Sequence, residues 1–295
     1  MVNYKLPLLG EIPKGDILGR VIVANKNART HLAEAFRMIR TNLLFQLDNL
    51  NSENKKSSAP KVIMVTSSIA GEGKTFVSIN IAHTLSHHDK KVVVIGLDLR
   101  APKIARYIDI KNDVGVTNFI VKEELSFDDI VIKDPGNSDL DYIISGNIPP
   151  NPSELLLRPR LNELIDIAKS RYDFIIIDTA PVALVVDALN IYKFSDIVIF
   201  VARAEFLDRR MLGIPATLYH DKKLPNLTML VNSTDLYGKG YGYGYGYGYG
   251  YGYGYGYGYG YGYGYGSEYF ETPDKKSILG RIIKRFNKIF RRIKK

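Results

Sequence analysis

The chain has 295 residues, of which 45% are hydrophobic and 24% charged, a composition typical of a folded globular protein. It has no cysteine, which excludes disulfides and thiolate metal sites, and it shows neither a membrane-spanning apolar run nor a signal-peptide core. The formal net charge is +9, but residues 275–295 hold ten Lys or Arg and no acid, leaving −1 for the remainder. We expect a cytoplasmic protein with no nucleic-acid partner.

The N-terminal third begins without a clear hydrophobic period. Residues 1–29 include LPLLGEIP, which predicts a turn-like approach segment. From Thr30 onward, apolar residues recur at helical spacing, and the Thr30 hydroxyl is placed to cap the helix that this spacing predicts. Residues 49–60, NLNSENKKSSAP, are polar and predict a loop. The apolar residues that define the helix are Leu32, Phe36, Ile39, Leu43 and Leu47.

Apolar strands alternate with helices through the middle of the chain. Strands are predicted at 61–67, 91–97, 141–145, 173–179, 196–202 and 227–232, and helices at 74–86, 159–170, 183–192 and 207–220. Strands that are apolar throughout and separated by helices predict an α/β fold with a mostly parallel sheet and helices on both faces, which a phosphate loop at 70–75 makes P-loop NTPase-like. The predicted divisions are 1–29 (approach segment), 30–236 (P-loop domain), 237–270 (Tyr-Gly tail) and 271–295 (basic amphipathic helix).

A phosphate-binding loop is predicted between the first long strand and its helix. AGEGKT at 70–75 matches the end of the P-loop pattern, with Ser68 in place of its first glycine. Backbone N–H groups of such a loop bind phosphate oxygens, Lys74 reaches the β- and γ-phosphates, and the Thr75 hydroxyl binds Mg²⁺. The alternative is a glycine-rich turn without a ligand. The predicted ATP-binding residues here are Ala70, Gly71, Glu72, Gly73, Lys74, Thr75 and Phe76.

Two further strands deliver acidic residues to the same edge of the predicted sheet. FIIIDTAP ends in Asp178, where an acid beside a P-loop strand orders Mg²⁺ and its waters. VVVIGLDLRAPK places Asp98 and Arg100 at the end of its strand, where ligands of such sheets bind. For Asp178 the alternative is a polar residue that merely ends a strand. For Asp98 and Arg100 the alternative is an exposed ion pair at a strand end. Together the three segments predict binding of a nucleoside triphosphate.

These motifs, spanning about Leu6 to Tyr237, resemble the bacterial tyrosine kinases, or BY-kinases, that regulate capsule and exopolysaccharide export. AGEGKT is similar to the family's Walker A motif, VVVIGLDLRAPK to its Walker A′ motif and FIIIDTAP to its Walker B motif. SGNIPPNPSELL at 145–156 and the tyrosine-rich C-terminal segment also resemble family features. Related partition and division-site ATPases carry a second lysine where this chain has Ile69, which favours the kinase branch.

The resemblance implies an ATP-dependent protein-tyrosine kinase with ATP and Mg²⁺ as cofactors. Lys74 would clamp the phosphates, Asp178 would hold the metal together with Thr75 and Asp98, and Asp98 would also face the incoming tyrosine. Arg100 would steady nearby charge. Asn232, at the end of the last strand, is the candidate for contacting the adenine edge, and the alternative is a residue that only caps that strand.

One departure from the family pattern concerns the Walker A′ motif. The family has an acid two residues before Asp98, and this chain has Gly96 there. In the family that acid is credited with ordering Mg²⁺ and accepting the tyrosine proton, so this role has no assigned residue here. Two alternative functions therefore stay open: a nucleotide-gated membrane scaffold with little kinase activity, and an ATPase positioning factor.

The family's oligomerisation motif is matched within EAFRMIR. Glu34, Arg37 and Arg40 share one helix face, which without the family would indicate a solvated charged surface. The resemblance implies that they join subunits into a ring, so that one subunit's tail reaches the next subunit's active site. It also implies a membrane partner, either a separate adaptor or a transmembrane part of the same protein, a phosphotyrosine phosphatase, and a location at the inner face of the plasma membrane.

Residues 237–269 are predicted to be a disordered array of phosphate acceptors. Glycine at every second position is costly to order and keeps each tyrosine accessible. The alternative is a low-complexity tether or a self-associating aromatic segment. The predicted acceptors are Tyr237, Tyr241, Tyr243, Tyr245, Tyr247, Tyr249, Tyr251, Tyr253, Tyr255, Tyr257, Tyr259, Tyr261, Tyr263, Tyr265 and Tyr269.

The basic segment that follows has one apolar helical stripe and one face of Lys and Arg. This pattern favours binding to an anionic membrane surface, and docking on the protein itself or on a partner is the alternative. Phosphorylated tyrosines, which carry about −1.5 to −2 charges each, would compete with lipid for the basic helix.

Overall fold

The computed structural model describes residues 5–15, 22–24, 28–52, 59–87, 89–110, 113–182 and 187–235. Its contacts divide the chain into two units, Met1–Gly242 and Tyr243–Lys295. The second unit lies outside the described residues, as do Tyr237 and Tyr241. The predicted acceptor array and the predicted basic helix are therefore not described.

One eight-stranded sheet forms the centre of the described fold, in the order β1-β8-β7-β2-β6-β3-β5-β4. Its described neighbours pair in parallel except β4, which is antiparallel to β5. The predicted α/β fold with a mostly parallel sheet is confirmed. The strands are β1 (Leu8–Pro13), β2 (Lys61–Ser67), β3 (Val92–Gly96), β4 (Ile132–Asp134), β5 (Asn137–Ile143), β6 (Phe174–Asp178), β7 (Ile197–Arg203) and β8 (Leu227–Thr234).

Helices cover both faces of this sheet. Alternating residues of β2 enter different buried clusters: Val62 and Met64 lie in the cluster packed on α6, and Ile63 and Val65 in the one packed on α1 and α2. No helix among the described residues is both long and apolar enough to cross a membrane. The α-helices are α1 (His31–Ser52), α2 (Lys74–Ser86), α3 (Ile104–Tyr107), α4 (Val116–Val121), α5 (Pro152–Leu155), α6 (Pro159–Arg171), α7 (Asp187–Tyr192) and α8 (Gly213–His220).

The N-terminal segment differs from its prediction. LPLLGEIP does not form a turn, because residues 8–13 pair in parallel with β8 and bury Leu9 and Ile12 against α1. A short edge strand with Gly10 and Pro13 gives no clear two-residue period, which explains the wrong prediction. The Thr30 cap is confirmed, since its Oγ1 accepts the Ala33 N–H at 3.1 Å. The predicted loop begins too early, because α1 continues through residue 52.

The other differences concern short elements. The sequence gives no separate prediction for α3, α4, α5 or β4, since three to six residues carry too little periodicity. The strand predicted at 141–145 is β5, which begins earlier, at Asn137. The helix predicted at 207–220 is divided into a 3₁₀ turn, Arg209–Leu212, and α8. Of the helix predicted at 183–192, the described part is α7, and residues 183–186 lie outside the described residues.

Candidate functional site

The predicted motifs meet where the parallel strands end at their carboxyl edge. In the paired register Asp178, the last residue of β6, lies opposite Val65 of β2 and Gly96 of β3. The loop from residue 68 to residue 73 joins β2 to α2 at this edge. Gly71 and Gly73 have φ values of 92° and 97°, a left-handed conformation that a side chain would strain, so these two glycines are required by the loop.

A buried cluster links the loop to the end of β6. The Thr75 Oγ1 donates to Asp178 Oδ2 at 2.7 Å, and the Ser78 hydroxyl lies 3.4 Å from Oδ1 of the same carboxylate. Burial raises the pKa of Asp178 to about 6, although the Thr75 hydrogen bond and the Lys74 charge oppose this shift. Burial also lowers the pKa of Lys74, against the attraction of Asp178 and Asp98. The Lys74 ammonium is therefore near enough to the desolvated Asp178 carboxylate for each charge to affect the pKa of the other group.

The donor set at this cluster fits Mg²⁺. The Thr75 hydroxyl and the Asp178 carboxylate supply two hard oxygen ligands, and Asp98 lies near enough to influence the pKa of Asp178. Mg²⁺ characteristically binds through one or two protein oxygens, keeps several waters and takes its remaining ligands from phosphates. Thr75 and Asp178 are thus the residues that would hold the metal, with Asp98 beside them.

Asp98 and Arg100 are brought to the same edge, but Arg100 is already paired. The Asp98 Oδ1 accepts the backbone N–H groups of Arg100 and Ala101, at 3.3 and 3.0 Å, which shapes the turn after β3. The Arg100 Nε donates to Asp187 Oδ2 at 2.8 Å and its Nη2 to the Ser153 Oγ at 2.8 Å. Ser153 in turn donates to Asp187 Oδ1 at 2.6 Å, so two residues from other parts of the chain fix the guanidinium.

The far side of the loop is tied to the ends of β7 and β8. The Glu72 carboxylate is buried and accepts the backbone N–H groups of Ile69 at 2.7 Å and Arg203 at 3.3 Å. The Asn232 Nδ2 donates to the Glu72 carbonyl at 2.9 Å, and Arg203 Nη1 donates to the Gly71 carbonyl at 3.2 Å. Asn232 therefore holds the loop, and its predicted contact with adenine stays a prediction.

The remaining predicted loop residues divide by exposure. Ala70 and Gly71 are exposed at the mouth of the loop. The Phe76 side chain is in the core, where it packs edge-on against Phe36 with ring centroids 5.6 Å apart. Any contact of Phe76 with a nucleotide would thus come from its backbone.

Gly96 stands beside a buried serine. The Ser145 Oγ donates to the Gly96 carbonyl at 2.9 Å and lies 3.3 Å from the Asp98 carbonyl. A Cβ at position 96 would lie 2.9 Å from this Oγ and 3.1 Å from the Ile104 Cδ1. Position 96, where the family has an acid, is therefore tightly packed in this chain.

The predicted oligomerisation residues lie together on α1. Glu34 and Arg37 form an ion pair, and Arg37 Nη2 also donates to the Ala28 carbonyl at 2.5 Å. Arg40 Nη1 donates to the Thr84 carbonyl of α2 at 3.2 Å, and burial lowers its pKa. These are contacts within one chain, so the predicted role between subunits remains a prediction.

Sequence reasoning missed Asp187, Ser153, Ser78 and Arg203 as parts of this edge. Ser153 lies within SGNIPPNPSELL, so the family resemblance marked its segment without giving its partner. Asp187 and Arg203 come from distant parts of the chain, and no local pattern reports such contacts.

The loop, the buried acid and the sheet define an α/β protein of the P-loop class, and a family model described as an AAA domain matches residues 60–226. The chain is 34% identical to the tyrosine-protein kinase etk of Escherichia coli K12 over 182 residues, which is 61% of this chain and 24% of that protein. It is 33% identical to the tyrosine-protein kinase YwqD of Bacillus subtilis over 183 residues, covering 62% of this chain and 73% of YwqD.

A solved structure agrees with these relatives. The kinase domain of the Escherichia coli tyrosine kinase ETK matches with a TM-score of 0.69 and 25% identity, over 83% of this chain and 95% of that domain. The chain belongs to the bacterial tyrosine kinase family. It spans about a quarter of the length of etk.

Proposed function

We propose that this chain is an ATP-dependent protein-tyrosine kinase that phosphorylates the tyrosines of residues 237–269. The observation that carries this proposal is the hydrogen bond between Thr75 and Asp178 at a P-loop, beside the partly desolvated Lys74. Phosphoryl transfer depends chiefly on positioning and charge neutralisation, and this cluster supplies both. Membership of the bacterial tyrosine kinase family and the adjoining tyrosine array support tyrosine as the acceptor.

The proposed roles of the residues are consistent with their positions. Lys74 holds the β- and γ-phosphate oxygens, and Thr75 and Asp178 hold Mg²⁺, which neutralises phosphate charge when bound. The tyrosine oxygen forms a bond to the γ-phosphorus as the bond to the β,γ-bridging oxygen breaks, and ADP leaves. Asp98 takes the tyrosine proton, because an acceptor is needed for a hydroxyl with an ordinary pKa near ~10. Arg100, fixed by Asp187, keeps a positive charge at this edge.

The proposed setting follows the family. Glu34, Arg37 and Arg40 join subunits into a ring, and each tail is phosphorylated in trans. The ring lies at the inner face of the bacterial plasma membrane, with a membrane adaptor or a transmembrane portion of the same protein, and a phosphatase removes the phosphates. The basic residues 275–295 bind anionic lipid. The cycle regulates capsular or exopolysaccharide polymerisation and export.

Lys74→Met tests the proposed activity. We expect the unaltered chain, incubated with ATP and Mg²⁺, to gain multiple phosphates on residues 237–269 by intact-mass measurement. The variant should lose at least about a hundred-fold in rate, the scale for removing one preorganised charge contact from a transition state. Lys122→Met, at an exposed lysine, is the matched control and should behave as the unaltered chain.

Gly96 favours a second candidate, a nucleotide-gated scaffold or ATPase with little kinase activity. Bound nucleotide without any added mass would support this candidate and contradict the kinase proposal.

Single Tyr→Phe replacements within 237–269 are expected to leave the total phosphate almost unchanged. From position 241 to position 265 the repeat gives each tyrosine the same neighbouring residues, so other acceptors replace a lost one. Successive replacements should lower the maximum phosphate number in steps, read by intact-mass measurement. Loss of most phosphate on replacing one tyrosine would show a dominant site and contradict the distributed array.

A further inference from the structure

An exposed aromatic side chain lies directly over the phosphate loop. Phe206 follows β7 and keeps 47% of its surface exposed. Its Cζ lies 3.1 Å from the point where a Cβ on Gly71 would be, so the tip of the ring contacts the loop backbone. Glu205, just before it, has φ of 56°, the left-handed conformation that non-glycine residues rarely adopt. Residues in such sparsely populated conformations cluster at active sites and ligand-binding sites, and here one directly precedes Phe206.

Arg203 fixes this ring from one side. Its guanidinium carbon is 5.0 Å from the centroid of the Phe206 ring, within the range of a cation–π contact. The same guanidinium donates to the Gly71 carbonyl through Nη1 at 3.2 Å. The ring tip therefore lies against the loop, and the Arg203 guanidinium lies over the ring. Nearly half of the side-chain surface remains exposed and could contact a ligand.

The position of this ring indicates the kind of ligand. Phosphates bind to the N–H groups of the loop, so whatever a phosphate chain carries extends past the loop mouth, where Ala70 and Gly71 are exposed. The ends of β7 and β8 border this mouth: Arg203 lies opposite Asn232 in the paired register, and the Ala204 N–H donates to the Asn232 carbonyl at 2.8 Å. A planar aromatic face at that point suits a flat heterocycle.

We propose that Phe206, supported by Arg203, is the stacking platform for the purine base of the bound nucleotide. This inference rests on the proposed function, since ATP is the substrate of the same site. Asn232 then lies at the border of the base site and links it to the loop through Glu72, while Phe206 supplies the base contact itself. Stacking on one aromatic face carries no hydrogen-bond code, so the platform strengthens binding of purines generally.

The test compares a ligand that has a base with one that has none. Mg²⁺–ATP and Mg²⁺–tripolyphosphate are titrated calorimetrically into the full chain and into Phe206→Ala, Phe206→Leu and Phe206→Trp. Leu keeps an apolar contact with Gly71 but lacks a π face, and Trp keeps the face. We expect ATP affinity to fall about ten-fold or more in the Ala and Leu variants and to persist in the Trp variant. Tripolyphosphate affinity should be equal in all four proteins.

Three results would overturn the platform. Equal loss of ATP and tripolyphosphate affinity would show that Phe206 only shapes the loop, and full ATP affinity in the Leu variant would show that no stacking occurs. Failure of the proposed kinase function can be distinguished from failure of the platform. A chain that binds ATP through Phe206 but gains no phosphate would contradict the kinase function and support the platform. A chain that binds tripolyphosphate as tightly as ATP contradicts the platform.

Discussion

Asp178→Asn is expected to reduce tail phosphorylation by roughly two to three orders of magnitude, the scale for removing one preorganised electrostatic contact. The amide keeps an acceptor for the Thr75 hydroxyl, which lies 2.7 Å from Oδ2 in the unaltered chain, so the geometry is largely retained. What is lost is the negative charge that we propose holds Mg²⁺. The measurement is the initial rate of phosphate incorporation at saturating ATP and Mg²⁺.

The same replacement should stabilise the nucleotide-free protein. Burial raises the pKa of Asp178 from 3.8 to about 6, so at pH 7 the folded state holds an unfavourable charge. That charge destabilises the fold above pH 6, and its effect disappears below the unfolded pKa, where both states are protonated. In metal-free buffer at pH 7 we expect Asp178→Asn to raise the free energy of unfolding by up to about 3 kcal/mol, and most of this gain should be lost near pH 4.

Urea unfolding at both pH values measures this difference, and Asp166→Asn is the matched control. Asp166 is an exposed aspartate on α6, so its replacement should change neither phosphorylation nor stability. A variant that loses stability equally at both pH values would contradict the role of burial. Persistent phosphorylation would contradict the proposed metal site. Opposite changes in activity and stability are what a strained functional carboxylate predicts.

The parts of the site that the sequence predicted are those encoded locally. AGEGKT carries its own turn, its glycines and its helix start within a few residues, and Asp178 ends an apolar strand that pairs in parallel with β2. These features can be predicted from short-range sequence patterns and from the rule that ligands bind where parallel strands end at one edge. The fold class follows from the same strand and helix periods.

The parts that the sequence did not predict depend on contacts between distant residues. Arg100 was predicted to steady nearby charge, with an ion pair as the alternative, but the sequence did not indicate its partner, Asp187, which lies 87 residues further along the chain. Only the folded sheet edge brings these two side chains together. β1 was missed for a related reason, because its six residues become a strand only by pairing with β8 at the other end of the domain.

The packing around Gly96 shows what an acidic side chain at this Walker A′ position would contact. Side chains alternate along a strand, so position 96 faces the same side as Val94, whose cluster includes Val77 of α2. A carboxylate at 96 would therefore point toward the helix that begins at Lys74, near the Thr75 and Asp178 pair. Its Cβ would meet the Ser145 Oγ at 2.9 Å, closer than real Cβ contacts, so this hydroxyl must move or be removed.

Gly96→Asp combined with Ser145→Ala is expected to raise the phosphorylation rate at saturating ATP by roughly ten-fold or more, since a positioned proton acceptor contributes at least that much. Gly96→Asp alone should gain less, because the new side chain competes with the Ser145 hydroxyl, and Ser145→Ala alone should not gain. Rates are read from phosphate incorporation, and urea unfolding verifies that each variant is folded. An unchanged rate in a folded double variant would mean that Asp98 already completes the acceptor function. The glycine at position 96 would then no longer favour the scaffold function over the kinase function.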